Sequence, residues 1–219
     1  MSYGQNQPSG LQALKYLNGA PWNNQTNSYL IASGYANNIF RGDLVYINSA
    51  GYIKNLADCG IGNFSTPTLG VFAGCSYVAP TSINAIDPAS PGKSFWPSGT
   101  ITVGQVPATA FIIDDPNTIF EVQSVYAGGV IQANVGTVGF YGWAAPYALV
   151  GSQVQGNTTQ GTSYASLLTA GTHGQPTYNL FIKALSANPN NVTGVQYNNA
   201  EVLINNHYYR QLPSIPSIA

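Results

Sequence analysis

Two histidines, His173 and His207, are the only side chains of this chain whose ordinary pKa lets them move protons near neutral pH. Nucleophilic catalysis of the Ser–His–Asp kind needs such a histidine beside the nucleophile and a carboxylate to orient it. His173 lies in the turn sequence GTHG and His207 in a final apolar segment, and neither has that company in the sequence. No nucleophile elbow, zinc-binding HExxH helix or phosphate-binding P-loop occurs. Paired carboxylates that share acid–base work must face each other across a cleft. Asp114 and Asp115 are instead adjacent and precede Pro116, so they read as turn residues, and no calcium-loop spacing continues from them. Glu121 is the one acid inside an expected internal strand, where a lone glutamate reads as an edge or interface residue. Cys59 and Cys75 are the only cysteines. Without a CxxC pair or a Cys/His cluster, they read as two buried, reduced thiols. The sequence therefore implies no catalytic, cofactor-binding or metal-binding residue, and no enzyme.

Two further motifs carry less chemistry than their spelling suggests. Arg41, Gly42 and Asp43 spell the tripeptide that integrins read, but apolar residues on both sides make it the lead into a strand, with Gly42 and Asp43 turning the chain. Sequons beginning at Asn24, Asn63, Asn157 and Asn191 are expected by chance in a chain this rich in asparagine, and matter only in a eukaryotic secretory pathway.

Charge narrows the classes further. Only 6% of the 219 residues are charged, against roughly 25% in an ordinary soluble domain. With 44% hydrophobic and 12% aromatic residues the chain is no disordered polymer. Its surface must be covered by amides, hydroxyls, glycine and tyrosine. A net charge of -1 leaves little repulsion between copies, so such a surface favours association. The six basic residues, Lys15, Arg41, Lys54, Lys93, Lys183 and Arg210, stand singly and make no stripe for a phosphate backbone, so no nucleic-acid partner is expected. No apolar run approaches a membrane span, so no membrane partner is expected either. The N-terminal MSYGQNQPSG has neither a basic nor an apolar leader region, which points to a chain made in the cytosol or already separated from its leader.

The elements that must carry these residues are short. From Tyr29 onward, runs rich in Val, Ile, Tyr and Phe are separated by Gly, Pro, Asn and Ser clusters at intervals of roughly 8–12 residues, the spacing of a sandwich or barrel. Residues 42–47 and 52–56 predict a hairpin turning at Gly51, and 69–78 a strand with Gly74 at a bulge or close approach. Strands are expected at 100–103, 108–113, 118–126, 178–185 and 200–209, with weaker ones at 130–139 and 148–154. Residues 80–98 and 151–163 read as loops, and 114–117 as a tight turn. Residues 1–28 read as a polar N-terminal arm in which Leu11, Leu14 and Leu17 suggest a helical turn or two. Residues 29–211 form one β domain, and 212–219 a proline-broken apolar tail suited to docking.

The segments FRGDLV at 40–45, GYI at 51–53, LGVFAG at 69–74, IDDPNTIFEVQ at 113–123 and VLINNHYYR at 202–210 together carry a resemblance. From about residue 40 onward the chain resembles the capsid decoration, or cement, proteins of tailed bacteriophages, especially those of aquatic hosts. The resemblance implies a non-enzymatic virion structural protein, all-β, built as a β-barrel of the β-tulip kind or a β-sandwich with long loops and extended arms. It also implies assembly in the host cytoplasm, a homotrimer, and binding to the major capsid protein on the outer shell. The interface candidates are Phe95, Trp96, Trp143, Tyr208, Tyr209, Ile215 and Ile218. The alternative is a carbohydrate-binding adhesin or tail-fibre module, for which the same aromatics from Phe95 to Tyr209 would stack on sugars.

Overall fold

The computed structural model describes residues 9–59, 66–78, 92–123, 142–147, 156–168, 179–187, 191 and 198–210. In chain order the strands are β1 (Gln12–Tyr16), β2 (Asn27–Ile31), β3 (Ile39–Phe40), β4 (Leu44–Ile47), β5 (Ile53–Asn55), β6 (Gly70–Ser76), β7 (Phe95–Trp96) and β8 (Ala108–Ile113). They continue as β9 (Thr118–Gln123), β10 (Gly142–Tyr147), β11 (Gly156–Asn157), β12 (Thr162–Ser163), β13 (Ser166–Leu168), β14 (Leu180–Leu185) and β15 (Asn199–Ile204). Three 3-10 turns complete the described secondary structure, at Leu56–Cys59, Val103–Gln105 and Tyr208–Arg210.

Two antiparallel sheets carry the fold. One has six strands in the order β1-β9-β15-β14-β10-β13, and the other five in the order β2-β8-β6-β4-β5. Strand periodicity decides which side chains meet, because alternate residues face opposite sides. Phe120, Val122, Leu180, Ile182, Ala200, Val202 and Ile204 of the first sheet therefore share a core with Leu44, Val71 and Ile113 of the second. The opposite face of the five-stranded sheet is apolar as well: Val45, Ile53, Phe72, Cys75, Ala110 and Ile112 pack with Ile31, Tyr35, Ile39, Trp96 and Tyr77. This sheet curls until its edge strands touch at one bridge, Leu30–Tyr52, but no ladder joins them. Among the described residues no sheet closes into a barrel, and the architecture is sandwich-like.

The expected hairpin is β4–β5, turning at Gly51 with φ 81. The bulge in β6 falls between Phe72 and Gly74, and the turn after β8 is closed by the Thr118 N–H on the Asp115 carbonyl. Three expectations are corrected. Leu11, Leu14 and Leu17 do not make helical turns: β1 pairs with β9, and Leu11 is buried in the inter-sheet core. Extended pairing satisfies these backbone groups, so this stretch of the expected arm is an edge strand instead. Residues 100–103 are not a strand, because their backbone turns back through Val103–Gln105, with Gly104 at φ 63. Parts of both expected loops are paired: the end of 80–98 is β7 against β3, and within 151–163 lies the small β11–β12 ladder. The expected strands at 130–139 and 148–154 and the C-terminal tail lie outside the described residues.

The N-terminal segment enters the fold through two glycines. Gly10 and Gly42 lie back to back at φ 70 and 95, and a Cβ on Gly42 would sit 2.9 Å from the Ser9 carbonyl oxygen and 3.0 Å from Gly10 Cα. Only hydrogens fit between the chains there. The close approach lets the Leu11 N–H donate to the Gly42 carbonyl at 2.9 Å, which seats Leu11 in the core.

Candidate functional site

The two sheets are joined at one end by two crossings. The chain passes from β1 to β2 through residues 17–26, and from β8 to β9 through the turn 114–117. A hydrogen bond from the Leu17 N–H to the Asn117 carbonyl, 2.8 Å, ties the crossings together. Between them lies a cleft of about 200 Å3. Tyr16 and Trp22 line it from the first crossing, Gln25 and Asn27 from the approach to β2, Asp114 and Asp115 from the second crossing, and Tyr209 from the turn that follows β15.

Asp114 organises this cleft. Its carboxylate is buried and accepts from Asn27 Nδ2 at 2.9 and 3.0 Å and from the Tyr29 hydroxyl at 2.5 Å. Tyr29 has one proton, and that proton goes to Asp114. The 2.7 Å contact between the Tyr29 and Tyr209 hydroxyls must therefore be donated by Tyr209. Burial, then the hydrogen bond to Asp114, raises the Tyr29 hydroxyl well above an ordinary phenol. The chain Tyr209 to Tyr29 to Asp114 is thus a fixed relay of hydrogen bonds that leaves the lone pairs of Tyr209 toward solvent. Asp115 is exposed and spends one oxygen on the Asn117 N–H, 2.8 Å away.

Behind the cleft sits His207, only 1% exposed. Its Nδ1 accepts from the Tyr209 N–H at 3.1 Å, so the neutral ring carries its proton on Nε2. Nε2 lies near the Asp114 backbone but outside hydrogen-bond geometry, and has no partner among the described residues. Burial, reinforced by Arg210, lowers the imidazole to about 4, against the opposing pull of Asp114 and Asp115. A ring held neutral in this way positions Tyr209. His207 lies beyond the end of β15, so the expected strand at 200–209 stops at Ile204.

The candidate residues scatter. Trp96 is fully buried, packs edge-on against Tyr77 at 5.0 Å and donates its Nε1 hydrogen to the Tyr35 carbonyl at 3.3 Å. Phe95 stacks on Phe40 at 5.3 Å. Trp96 is core and not a docking surface, because its indole fills the curled face of the five-stranded sheet. Tyr208 and Tyr209 are 44% and 56% exposed and pack edge to face. Trp143 lies on β10 opposite Phe181, and its side chain, like Ile215, Ile218 and His173, is outside the described residues. Trp22 was missed, although Tyr16, Trp22 and Asn27 crowding into one polar segment marks more than a solvated arm.

A second group corrects the reading of Glu121 as the one internal acid. Glu121 and Glu201 stand directly opposite on β9 and β15, where Glu201 takes a 2.7 Å salt bridge from Lys15 and Glu121 accepts from Asn199 at 3.0 Å. The pairing was hidden because the register of two strands distant in sequence decides it. In the same way Asp43 is buried and bonded to Asn55, Ser163 and the Phe40 N–H, which leaves the integrin-like tripeptide without an accessible carboxylate. Cys59 and Cys75 are both free and pack on opposite faces of the five-stranded sheet.

Among the described residues, no group of three or more His, Cys, Asp or Glu side chains stands together, and no helix is long and apolar enough to cross a membrane. Comparison with family models, with curated proteins and with solved structures finds no match for this chain.

Proposed function

We propose that this chain is a non-enzymatic structural subunit of a virion, which associates with itself, as a trimer, and binds the major capsid protein on the outer shell. The reading follows from the resemblance to decoration proteins, and one observation supports the association it requires. Val78, Ile101, Val103 and Val106 are all exposed, Val106 at 63%, and the Val103 N–H on the Val78 carbonyl at 3.0 Å brings the segment 101–106 beside Val78. Contiguous exposed apolar groups mark interaction sites. On a chain with 6% charged residues no ring of like charges opposes contact there. A subunit that binds only the assembled shell stabilises it by mass action, and repetition by symmetry adds avidity.

Imaging of the intact particle tests the proposal. Density for this chain on the capsid surface is the expected result, whereas density confined to a tail fibre would replace the proposal with the adhesin reading.

A further inference from the structure

We propose that the cleft between the two sheet crossings binds a neutral hexose. The argument rests on the cleft alone and holds whether or not the chain decorates a capsid. No lysine or arginine lines the cleft, while Asp114 and Asp115 do, so phosphates and acidic sugars are repelled.

The polar atoms left to a ligand are mostly acceptors, joined by two donor groups, the Gln25 side-chain amide and the Trp22 indole N–H. The Asn27 Nδ2 is committed to Asp114, which leaves Oδ1 unengaged by any described residue, as is the second oxygen of Asp115. Tyr209 donates to Tyr29 and keeps its lone pairs. Three acceptors of this kind, with the donors of Gln25 and Trp22 beside them, call for a ligand with several hydroxyls, each able to donate and accept.

A metal ion would also seek acceptors, but both oxygens of Asp114 already receive protons from Asn27 and Tyr29, and one free carboxylate oxygen makes a poor cation site. Tyr16 and Trp22 supply aromatic surface for the C–H face of a pyranose, and aromatic lining with a few placed polar groups is the usual make-up of a small-ligand site. At about 200 Å3 the cleft holds one ring, being smaller than the roughly 300–1,000 Å3 of sites for drug-sized ligands. The carboxylate relay is built before any ligand arrives, so little ordering is lost on binding.

The test uses the full chain and saturation-transfer NMR with D-glucose, D-galactose, D-mannose and N-acetyl-D-glucosamine, each alone, and with choline chloride as an organic-cation probe. Transfer to at least one of the sugars is expected. Tyr209→Phe, which removes only the hydroxyl, and Asp115→Ala should each weaken that binding at least tenfold while circular dichroism shows the fold retained, and Gln160→Ala, exposed and outside the cleft, should leave it intact. No transfer to any of the four sugars overturns the proposal. So does sugar binding that survives both cleft substitutions, or choline binding that displaces the sugar. The location of the chain on a particle bears on none of these outcomes, so this proposal and the capsid proposal fail separately.

Discussion

Asp43 and His207 are both buried, and burial moves their protonation in opposite directions. Burial raises the Asp43 carboxyl from 3.8 to about 6 against the lowering effect of Ser163, the Phe40 N–H and Asn55. The folded chain therefore keeps a proton that the unfolded chain loses, and this contribution, on the order of 3 kcal/mol, is present below pH 4 and disappears as pH rises through about 6. His207, lowered from 6.5 to about 4, refuses a proton that the unfolded chain takes, so its contribution is present above pH 6.5 and is lost as pH falls through about 4. Relative to the wild type, Asp43→Asn should gain stability in urea melts as pH rises from 4 to 6, and His207→Gln should lose it. Parallel pH profiles for all three proteins would refute the assignment. The cysteines separate in the same way. Burial pushes the Cys75 thiol up to about 12, with Lys93 pulling the other way, and leaves no access to it, whereas Cys59 is only half-buried. Alkylation of the native protein should label Cys59 and spare Cys75, and both should react once the chain is denatured. A native mass spectrum with Cys75 modified first would contradict this.

At the scale of elements, the strand segments that the sequence revealed best are those whose local chemistry agrees with their surroundings. Val45 and Ile47 face one side of the curled sheet while Leu44 and Tyr46 face the other, and a glycine stands where the turn needs positive φ. The edge strand β1 was hidden because QALKY has a lysine and a glutamine and pairs on one side only, so apolar spacing alone suggested a helix. What fixes its position is the contact of Gly10 with Gly42, far apart in sequence. Gly42→Ala must place a methyl at φ 95 against the Ser9 carbonyl oxygen, and should cost about 2–3 kcal/mol in chemical denaturation. A loss below about 0.5 kcal/mol, the range of an ordinary surface change, would show that the crossing is not tight.

On the scale of the whole molecule, the scarce acids are spent on holding structure. Among the described residues, Asp43, Asp58, Asp114, Asp115, Glu121 and Glu201 each accept structural hydrogen bonds or a salt bridge. The exposed surface carries few charges, and its large apolar side chains include Val78, Ile101, Val103 and Val106 as well as Leu14, Leu17 and Leu30. Placing a charge on the segment 101–106 should oppose association without touching the core. Val106→Asp is expected to shift the chain toward monomer in sedimentation velocity at micromolar concentration while its melting curve stays in place. A wild type already monomeric there would remove the support for self-association.

The sequence by itself determined the all-β class, the β4–β5 hairpin, β8, β9, β14 and most of β15, because period-2 apolar patterning and turn residues act over a few neighbours. It also determined that the chain would be nearly uncharged and rich in tyrosine. Only the tertiary structure decided that Trp96 is core, that Glu121 faces Glu201, and that Tyr16, Trp22, Asn27, Asp114 and Tyr209 surround one cleft. Each of these depends on which strands become neighbours and in what register, and a single step of register moves every side chain of a strand to the other face. Such pairings join residues as far apart as Tyr29 and Tyr209, whose spacing along the chain carries no periodic trace of the contact.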